Sequence, residues 1–61
     1  MSTGTRIAQA RKKQNLTQEQ LAEQLGVTRQ SVSRWESDAA YPETDKLVRL
    51  AQLFGVSCDY L

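Results

Sequence analysis

Residues Gly26 to Ser37 read GVTRQSVSRWES: a glycine, then four hydroxyl residues, two arginines and one glutamine around Val32 and Trp35. At about 100° per residue around a helix, Val32 and Trp35 define an inward side. Gln30, Ser33, Arg34 and Ser37 then point away from it, with Arg29, Ser31 and Glu36 on the flanks. The stripe contains no nucleophile–base pair of the kind covalent catalysis needs. What it offers is hydrogen bonding with defined geometry. A guanidinium matches guanine O6 and N7, a glutamine amide matches adenine N6 and N7, and a hydroxyl can donate or accept. No carboxylate sits in the outward stripe to repel phosphate. A solubilising surface helix would more naturally use Glu, Lys and Ala. For Gln30 alone a plain solvated face stays open; the stripe as a whole points to contact with base edges.

The flanking residues supply the elements that must hold such a stripe. Thr28 reads as the N-cap of the helix, which runs to about Glu36. Ahead of it, Thr17-Gln18-Glu19-Gln20 fits a capping box, with Leu16 and Leu21 as a hydrophobic staple. The helix it opens carries Leu21, Ala22 and Leu25 on one face and stops at Gly26. Ala22 lets the next helix cross closely, and Val27 faces inward from the turn. Leu21, Leu25, Val27, Val32 and Trp35 form the shared core. This register is that of a helix-turn-helix, whose second helix enters the major groove. A first helix spans about Thr3 to Gln14, with Ile7, Ala10 and Ala8 inside and Arg6, Arg11, Lys12 and Lys13 outside; Asn15 is its stop. After the loop Ser37 to Tyr41 and Pro42, a fourth helix runs from about Glu43 to Phe54, burying Leu47, Leu50, Ala51 and Phe54. Gly55 ends it, and Val56, Ser57 and Asp59 to Leu61 read as the capped first turn of a fifth helix. Nothing alternates with period two, so no strand is expected.

The bulk composition narrows the function classes. A chain of 61 residues forms one domain with a small core. Cys58 is the only cysteine and there is no histidine, which rules out a disulfide and argues against a zinc site and the commonest general base. Apolar runs are too short for a membrane span or signal peptide, so a cytoplasmic setting is expected. Net charge is only +1, but it is lopsided. Up to Arg34, six basic residues (Arg6, Arg11, Lys12, Lys13, Arg29, Arg34) face two acidic ones (Glu19, Glu23), leaving +4. Beyond it, Lys46 and Arg49 face Glu36, Asp38, Glu43, Asp45 and Asp59, leaving −3. The basic half carries the outward stripe.

The stretch LTQEQLAEQLGVTRQSVSRWE resembles the core of the phage-repressor, Cro and Xre-like DNA-binding domains, and YPETDKLVRLAQLFGVSCDYL resembles their fourth helix and the opening of a fifth. The resemblance runs from about Ile7 to Leu61. It implies an all-α, five-helix lambda-repressor-like fold, and double-stranded operator DNA bound by a homodimer on a palindromic site, with no cofactor or metal. It implies a regulator, by default a repressor. Because the chain stops one turn into the fifth helix, residues 1–61 are expected to be the N-terminal part of a longer regulator, with a complete small regulator of phage or antitoxin type as the alternative. Arg29, Gln30, Ser33 and Arg34 would reach base edges. Gln18, Thr28, Ser31, Lys13 and Tyr41 would meet phosphates, with Gln18 also bracing the recognition helix. Arg11 and Glu36 match a partly buried salt bridge tying the first helix to the third, and the loop Ser37 to Tyr41 would offer backbone N–H groups to phosphate. Ser37-Asp38 stands where the family commonly has Asn-Gly or Gly, Ala39 and Ala40 where many members have Lys or Arg, and Thr44 where an apolar residue is commoner.

By residue type alone, Lys12, Lys13 and Arg6 either touch phosphate or form a solvated face. Tyr41 either packs on Pro42 or offers its hydroxyl. Trp35 belongs to the core. The alternative to a DNA reader is a helix-turn-helix module of protein-interaction or antitoxin type, for which the modest charge and acidic second half leave room. No set of nucleophile, base and orienting group for an enzyme can be assembled.

Overall fold

The computed structural model describes all 61 residues. Four α-helices succeed one another: α1 Thr3–Lys13, α2 Gln18–Leu25, α3 Arg29–Glu36 and α4 Thr44–Phe54. The first three open on hydroxyl caps, Ser2, Thr17 and Thr28, each accepting from the N–H three residues on. At Thr17 the capping box is reciprocal, since the Gln20 side chain accepts the Thr17 N–H at 2.9 Å. Glu43, before α4, makes no side-chain cap.

All four helices end in the same way. The residue after the last turn, or one beyond it, is left-handed: Asn15, Gly26, Asp38 and Gly55, at φ of 59° to 70°. The next N–H reaches back five residues: Leu16 to Arg11, Val27 to Ala22, Ala39 to Arg34 and Val56 to Ala51, at 2.9–3.1 Å. This is the Schellman closure, which satisfies orphan carbonyls and turns the chain sharply. Glycine fills the left-handed position without steric cost; Asn and Asp are the side chains that tolerate it best.

The expected fifth helix is a single 3₁₀ turn, Cys58–Tyr60. The Tyr60 and Leu61 N–H groups bond three residues back, to the Ser57 and Cys58 carbonyls at 3.1 Å, so no α-helical bond forms. The tighter turn carries Leu61 into the core, where the Thr3 hydroxyl donates to its carbonyl at 2.7 Å.

The core gathers Ile7, Leu21, Ala22, Leu25, Val32, Trp35, Leu50, Ala51 and Leu61, so every helix contributes. Complete burial of an aliphatic side chain contributes roughly 1.5–3 kcal/mol; Ile7, Leu21, Leu25, Val32 and Leu50 are the largest that reach it. Leu47 and Phe54, expected inside, are half-buried at its edge with Leu16, Val27, Leu53 and Val56, while Leu50 and Ala51 carry the contribution of α4 to the core. Polar clasps close the remaining gaps. Arg49 donates to the Gln24 carbonyl at 2.8 Å, and Gln14 to the Leu53 carbonyl at 3.0 Å. Arg6 donates to the Tyr60 carbonyl and lies over the Tyr60 ring, 5.1 Å from its centroid.

Gly4 is buried in the first turn of α1. A Cβ there would overlap the Trp35 carbonyl oxygen and lie 2.7 Å from both Glu36 O and Asp38 Oδ1. Only glycine lets α1 approach the end of α3 so closely.

Candidate nucleic-acid interface

α3 is fixed on one side and bare on the other. Val32 and Trp35 are buried, while Arg29, Gln30, Ser33, Arg34 and Ser37 are exposed. Three of the five arginines are engaged inside the domain: Arg6 on Tyr60, Arg11 on Glu36 and the Leu16 carbonyl, Arg49 on Gln24. The two without an intramolecular hydrogen bond or ion pair are Arg29 and Arg34, both on α3. The Gln30 and Ser33 side chains are likewise unpartnered. A cluster of unsatisfied donors and acceptors is left facing water on the side away from the core.

The inward flank of α3 is braced by one carboxylate. Glu36 Oε2 accepts from Arg11 Nε at 2.7 Å, and its Oε1 accepts from Arg11 Nη2 at 3.0 Å and Gln18 Nε2 at 3.1 Å. The Arg11 and Glu36 side chains are only 12% and 8% exposed. The hydrogen bond that the guanidinium donates to Glu36, opposed by burial, raises the Arg11 pKa above its ordinary value, so it stays charged. Such a bidentate pair fixes direction as well as distance. Through Glu36 the beginning of α2 and the last turn of α1 are tied to the end of α3.

The structure groups most of the expected phosphate contacts around α3. Gln18 is half-buried beside Glu36; with one amide hydrogen committed there, the second is free. The Thr28 hydroxyl accepts the Ser31 N–H at 3.1 Å and lies 3.1 Å from the Ser31 hydroxyl. Tyr41 is exposed beyond the α3 turn while Pro42 is buried, so the tyrosine ring is not core. Lys13 lies apart: it borders a groove with Ala10, Gln14, Phe54, Val56 and Tyr60, none of them on α2 or α3.

The loop after α3 corrects one expectation. The N–H groups of Ser37, Asp38, Ala39 and Ala40 are all taken by α3 carbonyls, Ser33, Trp35 and, twice, Arg34. Of the loop from Ser37 to Tyr41, only the Tyr41 N–H has no partner within the domain. What the sequence did not disclose is the Asp38 carboxylate, which accepts the Gly4 N–H at 3.0 Å. The one available signal was a glycine in the first turn of a helix, where no turn required it.

A four-helix domain whose second and third helices cross at a glycine turn, with a bare polar face on the third, is a helix-turn-helix domain. A family model described as helix-turn-helix matches residues 7–61, and the chain belongs to that family. It is 43% identical over its whole length to the HTH-type transcriptional regulator ImmR of Bacillus subtilis, covering 48% of that protein. It is 44% identical to the HTH-type transcriptional activator BcrR of Enterococcus faecalis, covering 30% of it. The chain thus spans half or less of the length of these relatives. Its fold superimposes on the P22 c2 repressor, solved in complex with a synthetic operator, with a TM-score of 0.93 at 32% identity, over 98% of this chain and 91% of that one.

Proposed function

We propose that this domain reads double-stranded DNA by sequence, as the N-terminal part of a longer cytoplasmic transcriptional regulator that represses by occupying its operator. The observation that carries this reading is the outward face of α3. Arg29, Gln30, Ser33 and Arg34 are exposed and unpartnered there, on a helix whose other face is locked by Val32, Trp35 and Glu36. With α3 in the major groove, these four meet base edges, the arginines matching guanine and Gln30 adenine. Phosphates are met by the free amide hydrogen of Gln18, the hydroxyls of Thr28 and Ser31, and Tyr41, which set register and affinity. Lys13 serves at the margin of the footprint. The likeness to an operator-bound phage repressor supports this docking.

One such module holds DNA weakly. A homodimer on a pseudo-palindrome, with half-sites about 10–10.5 base pairs apart, gains by making the second contact intramolecular. Selection of bound sequences from a random duplex pool is the test, and a palindromic consensus is the expected result. Affinity for it should fall with salt, with a log–log slope of about −0.9 per phosphate neutralised. Arg34→Ala is expected to cost about 1–3 kcal/mol on that consensus and relax one base pair, whereas Gln18→Ala weakens binding to all sequences alike. If both variants lower only the melting temperature and leave base preference untouched, the assignment fails. A pool that yields no consensus would point to the protein-interaction module instead.

A further inference from the structure

We propose that Asp38 is a positioning residue for base reading: its carboxylate latches the end of the recognition helix to the N-terminus of α1 and thereby fixes Arg34. This rests on the DNA-reading assignment above. Arg34 lies in the last turn of α3, where helices ordinarily fray for want of hydrogen-bond partners. Here its carbonyl accepts from Ala39 N at 2.9 Å, Ala40 N at 3.2 Å and the Ser37 hydroxyl at 3.2 Å. The wrap needs a left-handed residue at 38, and Asp38 supplies it at φ 63°. Glycine would do this at less cost. Asn15 shows the difference: it occupies the equivalent place after α1 and its side chain makes no hydrogen bond, so it fills the conformation only. Asp38 fills the conformation and adds a tertiary contact, accepting the Gly4 N–H at 3.0 Å.

That contact is built from both sides. Gly4 lacks the Cβ that would strike Trp35 O, Glu36 O and Asp38 Oδ1, so the α1 backbone comes flush against the α3 terminus. Ser2 accepts the Thr5 N–H and Asp38 the Gly4 N–H, so two orphan donors of α1 are met, one locally and one from the turn that follows the recognition helix. The carboxylate faces the positive end of an 11-residue helix, which offsets the repulsion it would exert on a nearby phosphate.

Two substitutions separate the latch from the turn. Asp38→Gly keeps the left-handed backbone and removes the acceptor; Asp38→Asn keeps both the backbone tolerance and an acceptor oxygen. In the free domain, amide hydrogen exchange at Gly4 and from Arg34 to Ala40 should quicken in Asp38→Gly and stay near wild type in Asp38→Asn. On the selected operator, Asp38→Gly should lose about tenfold in affinity relative to a random duplex, with Asp38→Asn restoring most of the ratio. Equal exchange in the two variants overturns the latch whatever the DNA results. Altered exchange with an unchanged operator-to-random ratio would make Asp38 merely structural and overturn its role in reading. A wild-type domain with no preferred sequence would end the DNA assignment and the reading role together, with the exchange data judging the latch on its own.

Discussion

Leu25-Gly26-Val27-Thr28 and Phe54-Gly55-Val56-Ser57 trace nearly the same path. Their glycines sit at φ 70°, ψ 32° and φ 70°, ψ 33°. In both, the valine N–H reaches back five residues at 3.0 Å, and the following hydroxyl caps the next turn. The segments mounted on the two turns are unlike. After Thr28 comes an eight-residue helix with two inward anchors and four unpartnered outward side chains. After Ser57 comes one 3₁₀ turn whose Tyr60 and Leu61 carbonyls are held by Arg6 and Thr3. The turn is therefore a mechanical part, and the proposed reading chemistry belongs to the helix it carries. A helix presents a reading face only if its other face is fastened while its outward groups are left free.

The difference can be broken at the aromatic residue of each unit. Trp35 is 6% exposed and Tyr60 46%. Trp35→Ala should cost about 3–5 kcal/mol in urea unfolding, enough to threaten a domain this small. Tyr60→Ala should cost only about 0.5–1 kcal/mol, the scale of an exposed cation–π contact. Similar losses would mean that the second unit is as much a part of the core as the first.

The likeness can be sharpened at the glycines. Nothing lies within 4 Å of a Cβ added at Gly26 or Gly55, so Gly26→Ala and Gly55→Ala should each cost about 1–2 kcal/mol for the left-handed backbone alone. Equal shifts in thermal midpoint are expected, and a clear inequality would show that the shared geometry hides different strain. The caps give the smallest effects. Thr28→Ala should cost about 1 kcal/mol because it frays α3, and Ser57→Ala under about 0.5 kcal/mol because it releases one turn. Calorimetry of the two variants checks the order.

Local chemistry made much of this legible. The hydroxyl caps, the capping box and the glycine stops act within a few residues, and Val32 with Trp35 set the phase of α3 by spacing alone. Three features were hidden because they depend on segments far apart in the chain. The role of Gly4 shows only once the carbonyls of Trp35 and Glu36 are brought against it. Asp38 reads as a poor substitute for glycine until Gly4 N–H is found at its carboxylate. Ser57 to Leu61 reads as a helix start, but it forms a single 3₁₀ turn with Leu61 buried in the core. Within the candidate site the outward face of α3 was visible from periodicity. That the loop N–H groups are consumed by α3 itself was not, since it depends on the left-handed turn at Asp38.

The four outward side chains of α3 make no hydrogen bond to the rest of the domain, so exchanging them breaks no intramolecular hydrogen bond or ion pair. Arg29, Gln30, Ser33 and Arg34 can be exchanged as a set while Val32, Trp35 and Glu36 keep the scaffold intact. With the base-reading role proposed for these four residues, such a division separates the groups that would set target preference from those that hold the scaffold, a ready frame for retargeting by design.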